Sequence, residues 1–259
     1  MLCVIDIGNT NIVAAFMTGP DSVVFSARIV TERDKTEEMF EEEILNVFSE
    51  AGYETRDIEG TIISSVVPEI TDVVKNVMEK IAGDETGKTV EIAGCDNCCD
   101  LEFEMDNPER VGCDLIVDGV AAISEYGDET IAIFDMGTAT TCSVIDRKKY
   151  IGTIIIPGVK ISCDALSEKA SRLPEIYLKE PGRLLGKNTV ESMLSGIVYG
   201  NAAMLDGLVK RLRNELNKDV RVLVTGGIGK LIVPYCNEKM ELEENLLLKG
   251  LWYIYMGER

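Results

Sequence analysis

The chain has 259 residues, 46% of them hydrophobic, and carries 26 Lys plus Arg against 45 Asp plus Glu, a net charge of −19. Such a surface repels phosphate backbones and argues against nucleic acid as a partner; anionic small molecules would need local cations, metal ions or backbone amides. No apolar run reaches the roughly 18 residues of a membrane span, and the start MLCVIDIGNT lacks the basic and apolar regions of a signal peptide, so a cytoplasmic protein is expected.

In chain order, MLCVIDIGNT reads as a first strand and turn, followed by IVAAFMTG (12–19) and SVVFSARIV (22–30) as hairpin-linked strands. TEEMFEEEILNVFSEAG (36–52) has helical periodicity, and GTIISSVVP (60–68) is an apolar strand ending in small residues. CDNCC (Cys95, Cys98, Cys99) holds one C-x-x-C, but a zinc site needs two more ligands, and the chain has no second C-x-x-C and no histidine. The eight cysteines therefore read as free thiols and this stretch as an ordinary loop. A helix over DLIVDGVAAISEYG (114–127) leads into the second half.

That half repeats the first. IFDMGTAT (133–140) matches VIDIGNTN (4–11) in the pattern apolar-apolar-Asp-x-Gly-x-Thr, with Asp6 and Asp135 about half the chain apart. Strands CSVID (142–146) and YIGTIIIPG (150–158), a long helix over 189–216 and the strand and turn VRVLVTGGIG (220–229) follow. NLLLKGLWYIYMGER (245–259) is an amphipathic closing element. The order of elements, occurring twice, predicts two α/β domains of one plan facing each other across a cleft. We expect the first over 1–120 and the second, with the closing segment, over 121–259.

An aspartate at a strand end followed by a glycine turn suits phosphate and metal chemistry. The glycine permits close backbone approach, Thr or Asn groups point at phosphate oxygens, and the carboxylate can hold Mg²⁺ or its water shell. On residues alone, Asp114 also fits a helix N-cap before LIVDGVAA, and Thr189 an N-cap before VESM.

The paired motifs resemble the actin, Hsp70 and sugar-kinase superfamily, and over essentially its full length the chain resembles the type III pantothenate kinases. DIGNTN (6–11), ISSVVP (63–68), DNPERVGCD (106–114) and DMGTATT (135–141) carry the likeness. PGVKIS (157–162), ALSEKASRLP (165–174), GKNTVESMLSG (186–196) and TGGIG (225–229) extend it. The resemblance implies two duplicated ribonuclease-H-like domains and ATP-dependent phosphorylation of pantothenate in a homodimer. It implies a first phosphate loop of Asp6, Ile7, Gly8, Asn9, Thr10, Asn11, Ile12 and Val13, with Asp6 near Mg²⁺, through water. Thr138 would contact ATP from the second loop, Asp135 would help hold a monovalent cation (K⁺ or NH₄⁺), and Gly226 and Gly227 would carry the adenosine. Gly112, Cys113, Asp114 and Leu115 would line the pantothenate pocket with Asp114 as base, and Thr189 would reach the substrate from the partner subunit.

Departures cluster on the acceptor side. The family's usual G-A-D-R reads Gly112-Cys113-Asp114-Leu115, and leucine cannot pair a carboxylate as a guanidinium does. That loss should cost on the order of 1.5–3 kcal/mol, roughly 10- to 100-fold in pantothenate binding. Asp118 replaces a frequent Asn, Met105 a Tyr, Lys169 a His and Ala170 a Thr, and GTIIIPG lacks the second glycine. Both phosphate loops are intact. Three readings stay open: a pantothenate kinase with Lys169 or Arg110 replacing the lost cation, a kinase for a related alcohol such as pantetheine, or a nucleotide-binding regulator without turnover.

Overall fold

In the computed structural model, which describes residues 1–82 and 89–257, the chain forms two compact units. The first holds Met1–Leu101, Asp106–Glu125 and Leu246–Arg259; the second holds Glu102–Met105 and Tyr126–Asn245.

The first unit is built on a five-stranded sheet of β1 (Leu2–Ile7), β2 (Asn11–Gly19), β3 (Ser22–Val30), β4 (Gly60–Ser65) and β5 (Val90–Ile92), in the order β3-β2-β1-β4-β5. Antiparallel hairpins join β1, β2 and β3, whereas β1, β4 and β5 run parallel. Helices α1 (Glu37–Glu50) and α2 (Pro68–Ala82) bury their apolar stripes against the sheet, in a core that includes Ile5, Phe16, Phe40, Phe48, Ile63 and Val74. Thr36 opens α1 by accepting from Met39 N at 3.4 Å. Helix α3 (Cys113–Tyr126) is buried at every position from Leu115 to Ile123, the burial its apolar run demands.

The second unit repeats the plan. Its strands are β6 (Glu102–Phe103), β7 (Thr130–Met136), β8 (Ala139–Asp146), β9 (Lys149–Pro157), β10 (Arg221–Thr225) and β11 (Glu241–Leu242), in the order β11-β10-β7-β8-β9-β6. Apart from the short β6 at one edge, this is the arrangement of the first sheet, with β7 in the place of β1 and β10 in the place of β4. Helices α4 (Val159–Lys169), α5 (Thr189–Leu216) and the single turn α6 (Gly229–Ile232) complete it. The core gathers Phe134, Cys142, Val198, Leu205, Val222 and Ile232.

The expected domain division differs from the structure in two elements, and its boundary falls after Glu125 rather than after residue 120: β6 (Glu102–Phe103) belongs to the second unit. Helix α7 (Leu246–Gly257) belongs to the first unit, not the second. It packs on β1, β2 and β4, and Gly250 lies so near Val117 that a Cβ there would stand 2.0 Å from its carbonyl oxygen. The buried Lys249 ties it down through Asp21 at 2.8 Å and Glu125 at 3.0 Å. An amphipathic helix is recruited by whichever sheet face is uncovered, and periodicity does not name that face. Residues 258 and 259 of the expected closing segment lie outside the described residues.

Candidate nucleotide and acceptor site

The first Asp-x-Gly-x-Thr motif forms the tight turn of the β1–β2 hairpin. Gly8 N donates to Asn11 O at 3.0 Å. Asp6 is half-buried near the end of β1, opposite Val13 on β2 and beside Ser64 on the parallel β4. Ile7 and Ile12 point into the core, so only their backbones are available to a ligand. Asn9 and Thr10 are exposed at the tip, while Asn11 and Val13 are half-buried. The segment after β3 latches the turn: Thr31 N donates to Thr10 O at 3.1 Å, Thr31 Oγ1 to Gly8 O at 2.7 Å, and Arg33 Nη2 to Asn9 Oδ1 at 3.1 Å. These three contacts were missed from the sequence, where the only signal is a Thr-x-Arg after an apolar strand.

The residues expected on the acceptor side open α3. A short turn at Pro108–Arg110 precedes Gly112, whose carbonyl accepts the first helical bond, from Ile116 N at 3.2 Å. Asp114 is therefore inside the first turn and not the N-cap that its sequence context also allowed. Its Oδ1 accepts from Leu115 N at 2.9 Å. Burial pushes its carboxyl above the ordinary aspartate value, and the backbone N–H groups of Leu115 and Asp114 hold it down only in part. The positive end of the helix favours the ionised form as well. Cys113 Sγ donates to Ala93 O at 3.0 Å. Burial raises this thiol, bonds to Ser64 and Ser65 lower it, and the Asp114 and Asp6 carboxylates raise it further. The structure thus brings Asp6, the end of β4 and residues 112–114 together within one unit. Leu115 is 9% exposed and Asp118 2%; Arg110 and Lys169 are exposed, in the first and second units respectively.

The second unit presents the matching loop. Asp135 sits beside Thr225 on parallel β10, as Asp6 sits beside Ser64 on β4. Thr138 is exposed at the turn, and the glycine after β9 crosses it closely: a Cβ on Gly158 would stand 2.0 Å from Thr138 O. Gly226 has φ +85°, and a Cβ there would stand 2.6 Å from Asp135 Oδ1; above Gly227 the space is open. Asp135, Thr138 and Gly226 are thereby gathered at one end of the sheet. Thr189 is exposed in the first turn of α5 and is not its N-cap. Asn188 is, accepting from Glu191 N at 2.9 Å, while Glu191 Oε2 accepts from Lys187 N at 2.9 Å. The Asn-x-x-Glu capping pattern one residue earlier was the sequence signal for this cap.

In GTIIIPG, Thr153 follows Gly152 on β9. Its hydroxyl pairs with Tyr150 OH at 2.8 Å, which meets Ser143 Oγ at 2.6 Å, so this side chain is satisfied by a buried tyrosine. All eight cysteines are free. Cys98 Sγ donates to Cys95 O at 3.1 Å, Cys95 Sγ to Pro108 O at 3.4 Å and Cys99 Sγ to Tyr253 O at 3.7 Å.

Each unit thus ends its central strand in an aspartate beside a hydroxyl on the neighbouring parallel strand, and the first unit also carries a half-buried carboxylate at the start of α3. A family model described as type III pantothenate kinase matches residues 2–211. The chain belongs to the type III pantothenate kinase family. A relative from Halalkalibacterium halodurans named type III pantothenate kinase is 39% identical over 256 residues, covering 98% of each chain. One of the same name from Shouchella clausii is 40% identical over 257 residues, again 98% of each. Among solved structures, a Campylobacter jejuni protein named for the Baf family of transcriptional activators aligns with a TM-score of 0.59 at 16% identity, over 99% of this chain and 98% of that one. The activator of the 2-hydroxyisocaproyl-CoA dehydratase from Clostridium difficile, with bound ADPNP, aligns at 0.54 and 11%, over 99% and 95%. These likenesses show the fold, that of the actin, Hsp70 and sugar-kinase ATPases with duplicated ribonuclease-H-like units.

Proposed function

We propose that this family member transfers the γ-phosphoryl group of ATP to the primary hydroxyl of pantothenate, giving 4′-phosphopantothenate, the first step of coenzyme A biosynthesis. The observation that carries the reading is Asp114: a half-buried carboxylate, raised in pKa, on the first turn of α3 and within electrostatic reach of the Asp6 loop through Cys113. A general base works best when its pKa is drawn toward the working pH, and burial does that here.

Phosphoryl transfer asks for positioning and charge neutralisation more than covalent help. In this reading Asn9, Thr10 and the turn amides of 8–11 bind the phosphates from the first loop, Thr138 from the second, and the Gly226–Gly227 turn supports the adenosine. Asp114 accepts the proton of the pantothenate hydroxyl as that oxygen attacks. Asp6 and Asp135 are hard carboxylate donors at strand ends, a set that fits Mg²⁺ at Asp6 through water and K⁺ or NH₄⁺ at Asp135. When bound, these ions neutralise charge on the phosphate oxygens.

Thr189 serves the acceptor from the second subunit of a homodimer. In support, Ile155 (74%), Tyr177 (94%) and Leu185 (77%) are far more exposed than large apolar side chains usually are, and all belong to the second unit that carries Thr189. The protein acts in the cytoplasm; no helix among the described residues is long and apolar enough to cross a membrane.

One observation favours a second reading. Leu115 is buried and offers no hydrogen bond to a carboxylate, which suits an acceptor lacking one, such as pantetheine. Phosphorus-31 NMR of reactions with Mg-ATP, K⁺ and each alcohol separately tests both. A phosphomonoester from pantothenate supports the first reading, and one from pantetheine alone the second. Neither product, with ATP still bound, would replace both with a non-catalytic nucleotide-binding regulator.

A further inference from the structure

We infer that Arg33 is a phosphate ligand of the bound nucleotide, the cation that the first phosphate loop does not itself contain. The inference rests on the reading above only in placing the nucleotide on that loop.

Residues 6–13 include no lysine or arginine, in a chain of net charge −19. A polyphosphate on this turn needs a positive charge from elsewhere. Arg33 is held there: Nη2 donates to Asn9 Oδ1 at 3.1 Å, and Nη1 donates to Glu69 Oε1 at 3.1 Å from the first turn of α2. Those two contacts use two of the five guanidinium N–H donors, and among the described residues no other protein group takes the remaining three. The side chain is 55% exposed and Glu69 56%, so the fork is fixed at both ends and open to solvent beside the loop tip. An arginine so placed can take two phosphate oxygens at once.

The neighbouring cation is not available. Lys35 is 10% exposed, pairs with Glu43 at 2.8 Å and Glu32 at 3.5 Å, and lies over the Phe40 ring. The Thr31 contacts to Gly8 and Thr10 hold the connector against the turn without Arg33. The simpler reading, that Arg33 only straps the loop to α2, gives little stability for an ion pair this exposed.

The test uses the full-length protein, its Arg33→Gln, Arg33→Lys and Glu69→Gln variants, and Mg-ATP. The readouts are the calorimetric Kd for ATP without acceptor, KM for ATP and for pantothenate, and thermal melting. We expect Arg33→Gln to raise Kd and KM for ATP at least fivefold with KM for pantothenate within twofold. Arg33→Lys should fall between, because an ammonium keeps the charge and loses the fork. Glu69→Gln frees the guanidinium from its neutralising carboxylate and should leave ATP affinity unchanged or tighter. A smaller effect of Arg33→Gln, or equal weakening by Glu69→Gln, would overturn the inference in favour of a strap. Because ATP affinity is read without turnover, absence of pantothenate phosphorylation would count against the kinase reading and leave this result standing.

Discussion

The Asp114 carboxylate folds back over Gly112 so closely that a Cβ there would lie 2.4 Å from its Oδ1. Glycine at this position is therefore part of how the carboxylate proposed as the base is aimed. Gly112→Ala must swing the carboxylate away and break its bond from Leu115 N. The expected outcome is a fall in kcat of roughly 100-fold, the scale of a misplaced reacting group, with the melting temperature nearly unchanged. Steady-state kinetics beside a thermal melt would check it, and an unaltered kcat would remove Gly112 from the account.

Burial raises the Asp114 pKa, and this has a sign for both activity and stability. As a base, Asp114 must be ionised, so kcat should decline on the acid side with an apparent pKa above the ordinary aspartate value of 3.8. For stability, a carboxyl whose folded pKa lies above its unfolded one binds its proton more tightly in the folded state. The fold then loses stability as pH rises through the raised pKa. Asp114→Asn should consequently raise Tm at neutral pH, with the gain shrinking as pH falls toward 3.8. A lower Tm at pH 7 would contradict this.

In the second unit, Gly226 combines φ +85° with a site where a Cβ would stand 2.7 Å from the Met136 backbone. Side chains avoid that backbone region. Gly226→Ala should destabilise the protein by about 1–3 kcal/mol and weaken ATP binding, because the backbone that must shift adjoins Asp135. Denaturant unfolding and ATP titration of the same preparation would show whether the two losses travel together.

Leu115 is the residue on which the two proposed acceptors divide. Leu115→Arg should move the ratio of kcat/KM for pantothenate over pantetheine upward by roughly tenfold, the worth of one charged hydrogen bond. Side-by-side kinetics with both alcohols measure it. A ratio that stays put would show that the carboxylate is recognised elsewhere, with Arg110 and Lys169 as the residues to substitute next.

How far the sequence reaches depends on the element. The duplication was legible because Asp6 and Asp135 carry the same local pattern, and that pattern encodes one hairpin geometry wherever it occurs. The long helix over 189–216 was legible for its periodicity. Helix α7 was placed with the wrong unit, because the partner of an amphipathic face is a tertiary fact. Thr31 and Arg33 were invisible for the same reason: they reach the first loop only once β3 lies beside β2. The N-cap at Asn188 was readable one residue before Thr189, which also fitted a cap, since both Asn and Thr can cap and the decisive signal was Glu191. The bond between Thr153 and Tyr150 was not readable either, because the two meet only across the bulge of β9.

The measurement that bears most directly on the central claim is ADP release by the purified protein with Mg-ATP, K⁺ and pantothenate, compared with Asp114→Asn. The account predicts acceptor-dependent release that falls by at least a hundredfold in the variant, while ATP binds both proteins alike. Pantothenate-dependent release that survives the substitution would contradict Asp114 as the base, and its absence from the unaltered protein would contradict the kinase.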